Sequence, residues 1–271
     1  MFIDVVRSCA SYLIFMVYCF VIALPALVVI YVPFSYPLVK SIFGLLTKVT
    51  CKFMLFCTFC PVTYQGFDQL PNQPTIYIAN HQSALDIPLV GSILGTRPCV
   101  WLAKAELFEY PVLGQLLLKN GIPVYFSHDK PVSQSAVQVA AAKLKEGYNV
   151  VIFPEGGRYN DGTIHPFRSG FAAIAQLSGA PVVPLFISGT GHALAIGQRL
   201  IRRAPLMITV GEKMLYNSNE SLSSFKERCY QWFNELNFRR QYLLEHFGIR
   251  ICKTDGFDGI NSEQKSVQTI S

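Results

Sequence analysis

The chain has 271 residues, enough for one catalytic domain with an appended segment, whereas two full domains would be cramped. Its charged share is 15% against 51% hydrophobic, well under the usual share of about 25%, which points toward a membrane. The formal charge of +6 is dispersed, with small clusters at Arg199, Arg202, Arg203 and at Arg239, Arg240; these suit a solvated face or anionic lipid headgroups rather than a nucleic-acid stripe.

From the N-terminus, Ser8 to Val39 carries no charged residue, and Tyr12 to Val32 is an almost unbroken apolar run of ~21 residues, against the roughly 20 a helix needs to cross a bilayer. A signal peptide would have a shorter apolar core and a cleavage site soon after it; the run therefore reads as retained. In Ser41 to Val62, Lys48 and Lys52 lie one helical turn apart on the side of Ser41 and Gly44, while Phe43, Leu46, Phe53 and Phe56 occupy other faces. That pattern predicts a helix lying in the interface with its lysines at the headgroups. The alternative for both stretches is a buried apolar hairpin of a soluble protein, and spanning versus monotopic insertion is open. Lys40, Lys48 and Lys52 favour the cytoplasmic face for the chain beyond them. Eight cysteines at irregular spacings, with Cys19, Cys51, Cys57 and Cys60 inside apolar runs, form no disulfide framework and fit a reducing compartment. Cys57 and Cys60 have no second pair or suitable histidine beside them, so they read as buried thiols rather than a zinc site.

After Gln65, short apolar strands alternate with helical segments. Strands are expected at Thr75–Ala79, Cys99–Leu102, Ile122–Phe126, Asn149–Phe153, Val182–Ile187 and Leu206–Val210, with helices at Ala84–Leu94, Leu107–Leu118, Ser133–Lys145 and Ser169–Leu177. The fold class is α/β: a mixed, largely parallel sheet flanked by helices and preceded by N-terminal hydrophobic membrane helices. Ser221 to Phe247 reads as one or two amphipathic helices. The expected organisation is 1–64 membrane-anchoring, 65–250 catalytic, and 251–271 a polar, disordered tail.

Two loops carry candidate chemistry. Asn80-His81-Gln82-Ser83-Ala84-Leu85-Asp86 follows a strand. Residues five apart on one straight helix diverge by about 140°. With Ser83 as N-cap and Asp86 at the third helical position, however, His81 lies on the entering loop and can fold back onto the carboxylate. A carboxylate on one imidazole nitrogen leaves the other free to accept a proton, as a general base requires. Taken alone, the heptad reads as an incidental loop histidine beside an N-terminal helix carboxylate, and the other motifs decide. Phe153-Pro154-Glu155-Gly156-Gly157-Arg158 also follows a strand. Its glycines allow close approach of backbone N–H groups to an anion, and Arg158 offers a planar fork for phosphate oxygens; the alternative is a plain glycine-rich turn. Glu155 would orient Arg158 or accept a hydrogen bond from a substrate hydroxyl.

Together with Pro181-Val182-Val183-Pro184, these blocks occur in the order and spacing of a known family, and Ala103-Lys104-Ala105-Glu106-Leu107 with Pro111-Val112-Leu113-Gly114 resemble its intervening stretch. The chain resembles the 1-acylglycerol-3-phosphate acyltransferases from about Asn80 to Leu185. The resemblance implies transfer of an acyl chain from acyl-CoA or acyl-carrier protein to the free hydroxyl of a lysophospholipid at a bilayer. In it, His81 is the base, Asp86 its partner, Glu155, Gly156, Gly157 and Arg158 the acceptor phosphate site, and Pro181 to Pro184 the acyl side. Two departures stand out. Gly121 to Ser127 lacks the arginine that ends the family's second block, leaving His128, Lys130 or Arg168 as substitutes, and Gly157 replaces a threonine or serine. Lys104, or backbone N–H groups after Ser83, are candidates for stabilising the oxyanion. No metal or cofactor is implied, since the five histidines are scattered, and no nucleic acid is expected as partner. A bacterial inner membrane is favoured over an internal eukaryotic one. Rival readings are another acceptor (a different lysophospholipid, a lyso-ornithine lipid or glycerol 3-phosphate), a non-enzymatic lipid-binding protein, and a lipid hydrolase, the last disfavoured by the lack of a Gly-x-Ser-x-Gly elbow.

Overall fold

A computed structural model describes residues 2–18, 21, 37–94, 98–109, 121–124 and 134–247. Two helices come first, α1 (Phe2–Tyr18) and α2 (Pro37–Cys57). They lead into β1 (Val62–Gln65), β2 (Ile76–Ala79), α3 (Asp86–Ile93), β3 (Cys99–Lys104) and β4 (Gly121–Val124). The chain continues through α4 (Gln134–Lys145), β5 (Asn149–Ile152), α5 (Gly170–Ser178), β6 (Val182–Ser188), the short α6 (Thr190–Ala193), β7 (Leu206–Val210) and α7 (Leu222–Phe247). The strands form one sheet in the order β1-β7-β6-β2-β5-β3-β4. Its neighbours are parallel except for β6 and β7, which are antiparallel.

The central strands read as unbroken apolar runs because helices cover both of their faces. Alternation at period two divides their side chains between the faces. Ile76, Ile78, Val150 and Ile152 pack with Ala140 of α4, Phe171 of α5 and Phe233 of α7. On the other side, Tyr77, Ala79, Val151 and Val183 pack with Leu89 and Ile93 of α3 and with Leu55 of α2. The expected α/β class with a largely parallel sheet is therefore what the chain adopts.

Several boundaries differ from expectation. The expected helix Ser41–Val62 stops at Cys57. There the Thr58 hydroxyl donates back to the Leu55 carbonyl at 2.6 Å, Phe59 takes a positive φ of 54°, and Pro61 follows, which cannot continue a helix. The chain then enters β1, an unexpected edge strand paired with β7, so the sheet begins at Val62 rather than after the boundary expected at Gln65. Of the expected helix Leu107–Leu118, the part up to Glu109 lies in a 3-10 turn over Ala105–Glu109, and the remainder lies outside the described residues, as do His128, Lys130 and the tail from 251. Ser221 to Phe247 is one helix, α7.

Among the described residues, no helix is long and apolar enough to cross a membrane; of the run Tyr12 to Val32, only 12–18 and 21 are described. Within that part, α1 is inverted relative to a core helix. Ser8 and Ser11 are its buried residues, whereas Phe2, Ile3, Val6, Leu13, Met16 and Val17 are exposed. Polar contacts dock the helix: Arg7 donates to the Ile201 carbonyl at 2.7 Å, the Ile201 N–H donates to Ser8 Oγ at 2.8 Å, and the Tyr12 hydroxyl donates to the Arg199 carbonyl at 2.6 Å. Helix α2 lies against α3 so closely that a Cβ on Gly91 would fall 2.5 Å from Cys51 Sγ.

One buried amide locks the sheet edge where the candidate site begins. Asn80 Nδ2 donates to the Ile187 carbonyl at 2.9 Å, and the Ile187 N–H donates to Asn80 Oδ1 at 2.7 Å, tying the end of β2 to β6. An unsatisfied buried backbone group costs about 1–3 kcal/mol. Asn80→Leu should therefore lower unfolding free energy by roughly 2–4 kcal/mol in urea titrations in detergent; a loss under about 1 kcal/mol would show the clamp to be dispensable.

Candidate active site

His81 leaves β2 at the C-terminal edge of the parallel strands, where ligands gather in open α/β sheets. Its Nδ1 lies 2.7 Å from Asp86 Oδ2. The same Oδ2 accepts the N–H groups of Gln82 at 2.6 Å and Ser83 at 2.8 Å. Asp86 is fully buried, so a carboxylate already accepting two N–H donors fixes the tautomer with the imidazole proton on Nδ1. Nε2 keeps its lone pair, and the His81 side chain retains 14% exposure. The ring stacks on Phe153, centroids 3.9 Å apart and planes 15° apart, and Trp101 lies 6.2 Å beyond Phe153.

The corner that brings the pair together is tighter than the expected cap. The helix proper starts at Asp86 with Leu85 at the cap position, so Asp86 is its first residue rather than its third. The reciprocal exchange still forms, one position displaced: the Leu85 N–H donates to Ser83 Oγ at 3.2 Å while Asp86 accepts from the Ser83 N–H. The displacement has a cause in the next layer, because the Ser83 hydroxyl donates to the Leu194 carbonyl at 2.7 Å, closing a turn before the helix. The N–H groups of Gln82, Ser83, Leu85 and Asp86 are all donated within this turn. That removes them from the set of candidate oxyanion donors.

The second loop wraps the first. Glu155 Oε1 accepts the His81 N–H at 2.8 Å, and the Tyr159 N–H donates to the His81 carbonyl at 2.9 Å. His81 is thus bonded on both sides of its backbone to the segment that carries Gly156, Gly157 and Arg158. The other Glu155 oxygen accepts the His165 N–H at 2.9 Å. Glu155 is 5% exposed and forms no ion pair with Arg158, which corrects the expectation that it orients that arginine: a buried carboxylate here satisfies two loop N–H groups instead. Burial pushes its carboxyl up to about 7, against the opposing pull of the two N–H donors.

Arg158 is exposed and makes no ion pair among the described residues. Arg168 is half-buried and lies across Gly156, whose Cβ would fall 2.5 Å from Arg168 Nε at a φ of 71°. Glycine at 156 is therefore required both by the backbone conformation and by the passage of Arg168. Gly157 sits against the Tyr159 ring. Lys104 is exposed at the end of β3, on the same edge as His81 but two strands away in the order β2-β5-β3, and does not bond to the dyad. Pro181 to Pro184 does not line this edge. Val182, Val183 and Pro184 are buried within β6, and Pro184 packs beside Gly211 near Trp232.

Three features of the site are not evident from the sequence. The Gly189–Gly191 turn after β6 packs on it: a Cβ on Gly191 would meet Asn160 Oδ1 at 2.2 Å and Gln82 Cβ at 3.4 Å, and the Gly-Thr-Gly following an apolar strand was the available signal. A second histidine–carboxylate pair, His165 Nε2 to Asp161 Oδ2 at 2.7 Å, is exposed and stacks under Tyr159. The His165 hydrogen bond holds the Asp161 carboxyl well below the usual range. The Phe153 platform is the third; its motif was visible but its role was not. Among the described residues there is no group of three or more His, Cys, Asp or Glu able to hold a metal.

Comparison with known proteins gives a consistent picture. The acyltransferase family model matches residues 61–188. A coconut (Cocos nucifera) 1-acyl-sn-glycerol-3-phosphate acyltransferase is 31% identical over 76% of this chain and 66% of its own length. A lyso-ornithine lipid O-acyltransferase of Pseudomonas aeruginosa is 33% identical over 49% of this chain and 50% of its own. The chain thus spans about half to two thirds of the length of these relatives. The crystal structure of the 1-acyl-sn-glycerophosphate acyltransferase PlsC from Thermotoga maritima superposes with a TM-score of 0.68 at 24% identity, covering 86% of this chain and 95% of that one; the shared feature is the fold.

The Glu155 arrangement generates a pH prediction. Its folded-state value of about 7 lies above the ordinary 4.5, so the folded form holds its proton more tightly. This contribution to stability is complete below about 4.5 and is lost as pH rises through about 7. Glu155→Gln should flatten that slope in thermal melts recorded from pH 4.5 to 8, while lowering stability near pH 5 by about 1–3 kcal/mol because an amide NH2 opposes one of the two N–H donors. An unchanged slope would assign the titration to another group.

Proposed function

The chain belongs to the acyltransferase family through its residues 61–188, and on that premise we propose that it transfers an acyl chain from a thioester donor to the free hydroxyl of 1-acylglycerol 3-phosphate, giving phosphatidic acid. The observation that carries the reading is the His81–Asp86 pair at 2.7 Å with Nε2 left free. In the reaction, the acceptor hydroxyl gives its proton to His81 Nε2 as its oxygen attacks the thioester carbonyl. Collapse of the tetrahedral adduct breaks the C–S bond, and the same proton passes from His81 to the departing thiolate. Asp86 steadies the imidazolium without taking the proton. No covalent enzyme intermediate is needed. With the N–H groups of Gln82, Ser83, Leu85 and Asp86 engaged, Lys104 and the Ala84 N–H are the donors we assign as candidates for the oxyanion.

Arg158 is the arginine we assign to the acceptor phosphate: it is exposed, uncommitted, and lies between Glu155 and Tyr159, the two residues bonded to the His81 backbone. Arg168, held across Gly156, adds positive charge to the same loop. The outward apolar face of α1 supports seating of the domain on a bilayer, and Lys40, Lys48 and Lys52 favour its cytoplasmic face. The P. aeruginosa relative keeps a lyso-ornithine lipid as the second acceptor to test. Catalysis by a positioned base is worth roughly 10²–10⁴-fold, so His81→Ala should lose at least about a hundredfold in turnover while staying folded; full turnover would sink the assignment. Arg158→Ala should raise KM for lysophosphatidate by an amount equivalent to about 1.5–3 kcal/mol with a much smaller effect on an acceptor lacking a phosphomonoester. Equal effects on both acceptors would move the phosphate site elsewhere.

A further inference from the structure

Behind the α6 turn lies a cavity of about 390 Å³ bordered by Ser188, Gly189, His192, Arg202, Arg203 and Arg240. It is built rather than incidental. Gly189 holds a φ of 86°, and a Cβ there would fall 1.9 Å from the Pro205 carbonyl oxygen, so only glycine lets the two walls approach. Arg202 is fixed through its backbone, its N–H donating to the Ala193 carbonyl at 2.8 Å. Helix α1 holds the preceding residues through Ile201 and Arg199. Among the described lining residues there is no carboxylate, and none of the three guanidinium groups has an ion-pair partner among the described residues. Arg240 is half-buried, and burial lowers its pKa, a cost that an anion in the cavity would offset.

We propose that this cavity binds the phosphate groups of a coenzyme A thioester, making it the donor's anchor; the proposal rests on the acyl-transfer function proposed for the dyad. Charge and position favour this ligand. Three clustered guanidinium groups suit a polyanion, and coenzyme A carries a diphosphate and a phosphomonoester. The prosthetic arm of a carrier protein and a typical phospholipid headgroup each present one phosphodiester. Only the α6 turn separates the cavity from the site: Gly191 of that turn packs on Gln82, the neighbour of His81, and on Asn160 of the Arg158 loop, so a donor held by its phosphates there has this turn to cross to reach the base. Donor and acceptor phosphates would then occupy separate cationic seats, the cavity behind the α6 turn and the Arg158 loop.

The test titrates coenzyme A and 3′-dephospho-coenzyme A into the full chain in detergent by calorimetry. It uses wild type, Arg203→Gln and Arg240→Gln, with Arg239→Gln as control and thermal melts to confirm folding. The expected result is that each cavity variant weakens coenzyme A binding about tenfold and raises KM for an acyl-CoA in parallel, that loss of the 3′-phosphate weakens wild-type binding, and that the control changes neither. Arg203 is exposed, so its variant is informative even if Arg240→Gln fails to fold. Unchanged coenzyme A binding in Arg203→Gln would overturn the proposal. So would a selective loss of binding to phosphatidylglycerol vesicles with coenzyme A binding intact, which would make the cavity a headgroup site. A wild-type protein that binds coenzyme A through these arginines yet transfers no acyl group would instead defeat the proposed function and leave the cavity assignment standing.

Discussion

The site depends on one carboxylate oxygen. Asp86 Oδ2 accepts from the imidazole of His81 and from the backbone N–H groups of Gln82 and Ser83, which makes a single atom the pivot of the strand-to-helix corner. Burial at zero exposure strengthens each of these bonds by excluding water. The oxygen thereby fixes the ring's tautomer, its orientation and the path of the chain at once. Its partner Oδ1 has no bond among the described residues, so the carboxylate's organising effect is concentrated on one side. Helix α3 starts at this residue, and the positive end of its dipole adds further stabilisation to the charge.

Around that pivot the loops are arranged as nested straps. Glu155 and Tyr159 hold the His81 backbone, Glu155 also holds His165, and the Gly189–Gly191 turn closes over Gln82 and Asn160. Each strap comes from the C-terminal end of a different strand, so the sheet sets the spacing and the loops supply the chemistry. Buried hydrogen bonds of this kind leave little freedom for His81. The cationic side chains, by contrast, stay outside the network: Arg158, Lys104, Arg202 and Arg203 are all exposed, where they can meet anionic ligands without a large desolvation penalty.

The N-terminal helices extend the same frame. Helix α2 contributes Leu55 and Cys60 follows it into the core on the α3 face, and Gly91 permits the close crossing. Helix α1 turns its serines inward and its large apolar side chains outward, an arrangement that water disfavours and a bilayer does not. Because α1 also holds Arg199 and Ile201, an outward apolar surface is mechanically joined to the segment that carries the arginine cavity.

Much of this was legible in the residues. The α/β class followed from apolar runs such as Asn149–Ile152 and Leu206–Val210, whose continuity reflects burial on both faces, and His81 with Asp86 was recognisable because a capping pattern at Ser83 offered a local way to bend the chain between them. Local signals of this kind act over a few residues and survive in sequence. Contacts between distant segments do not. The edge strand β1 was missed because four residues, Val62–Gln65, carry too weak a pattern until β7 pairs with them. Glu155 could not be identified as the strap on His81 from 74 residues away, nor Arg202, Arg203 and Arg240 as one cavity. Which atoms a buried carboxylate satisfies, and which cations share a wall, are decided only when long-range packing brings the segments together.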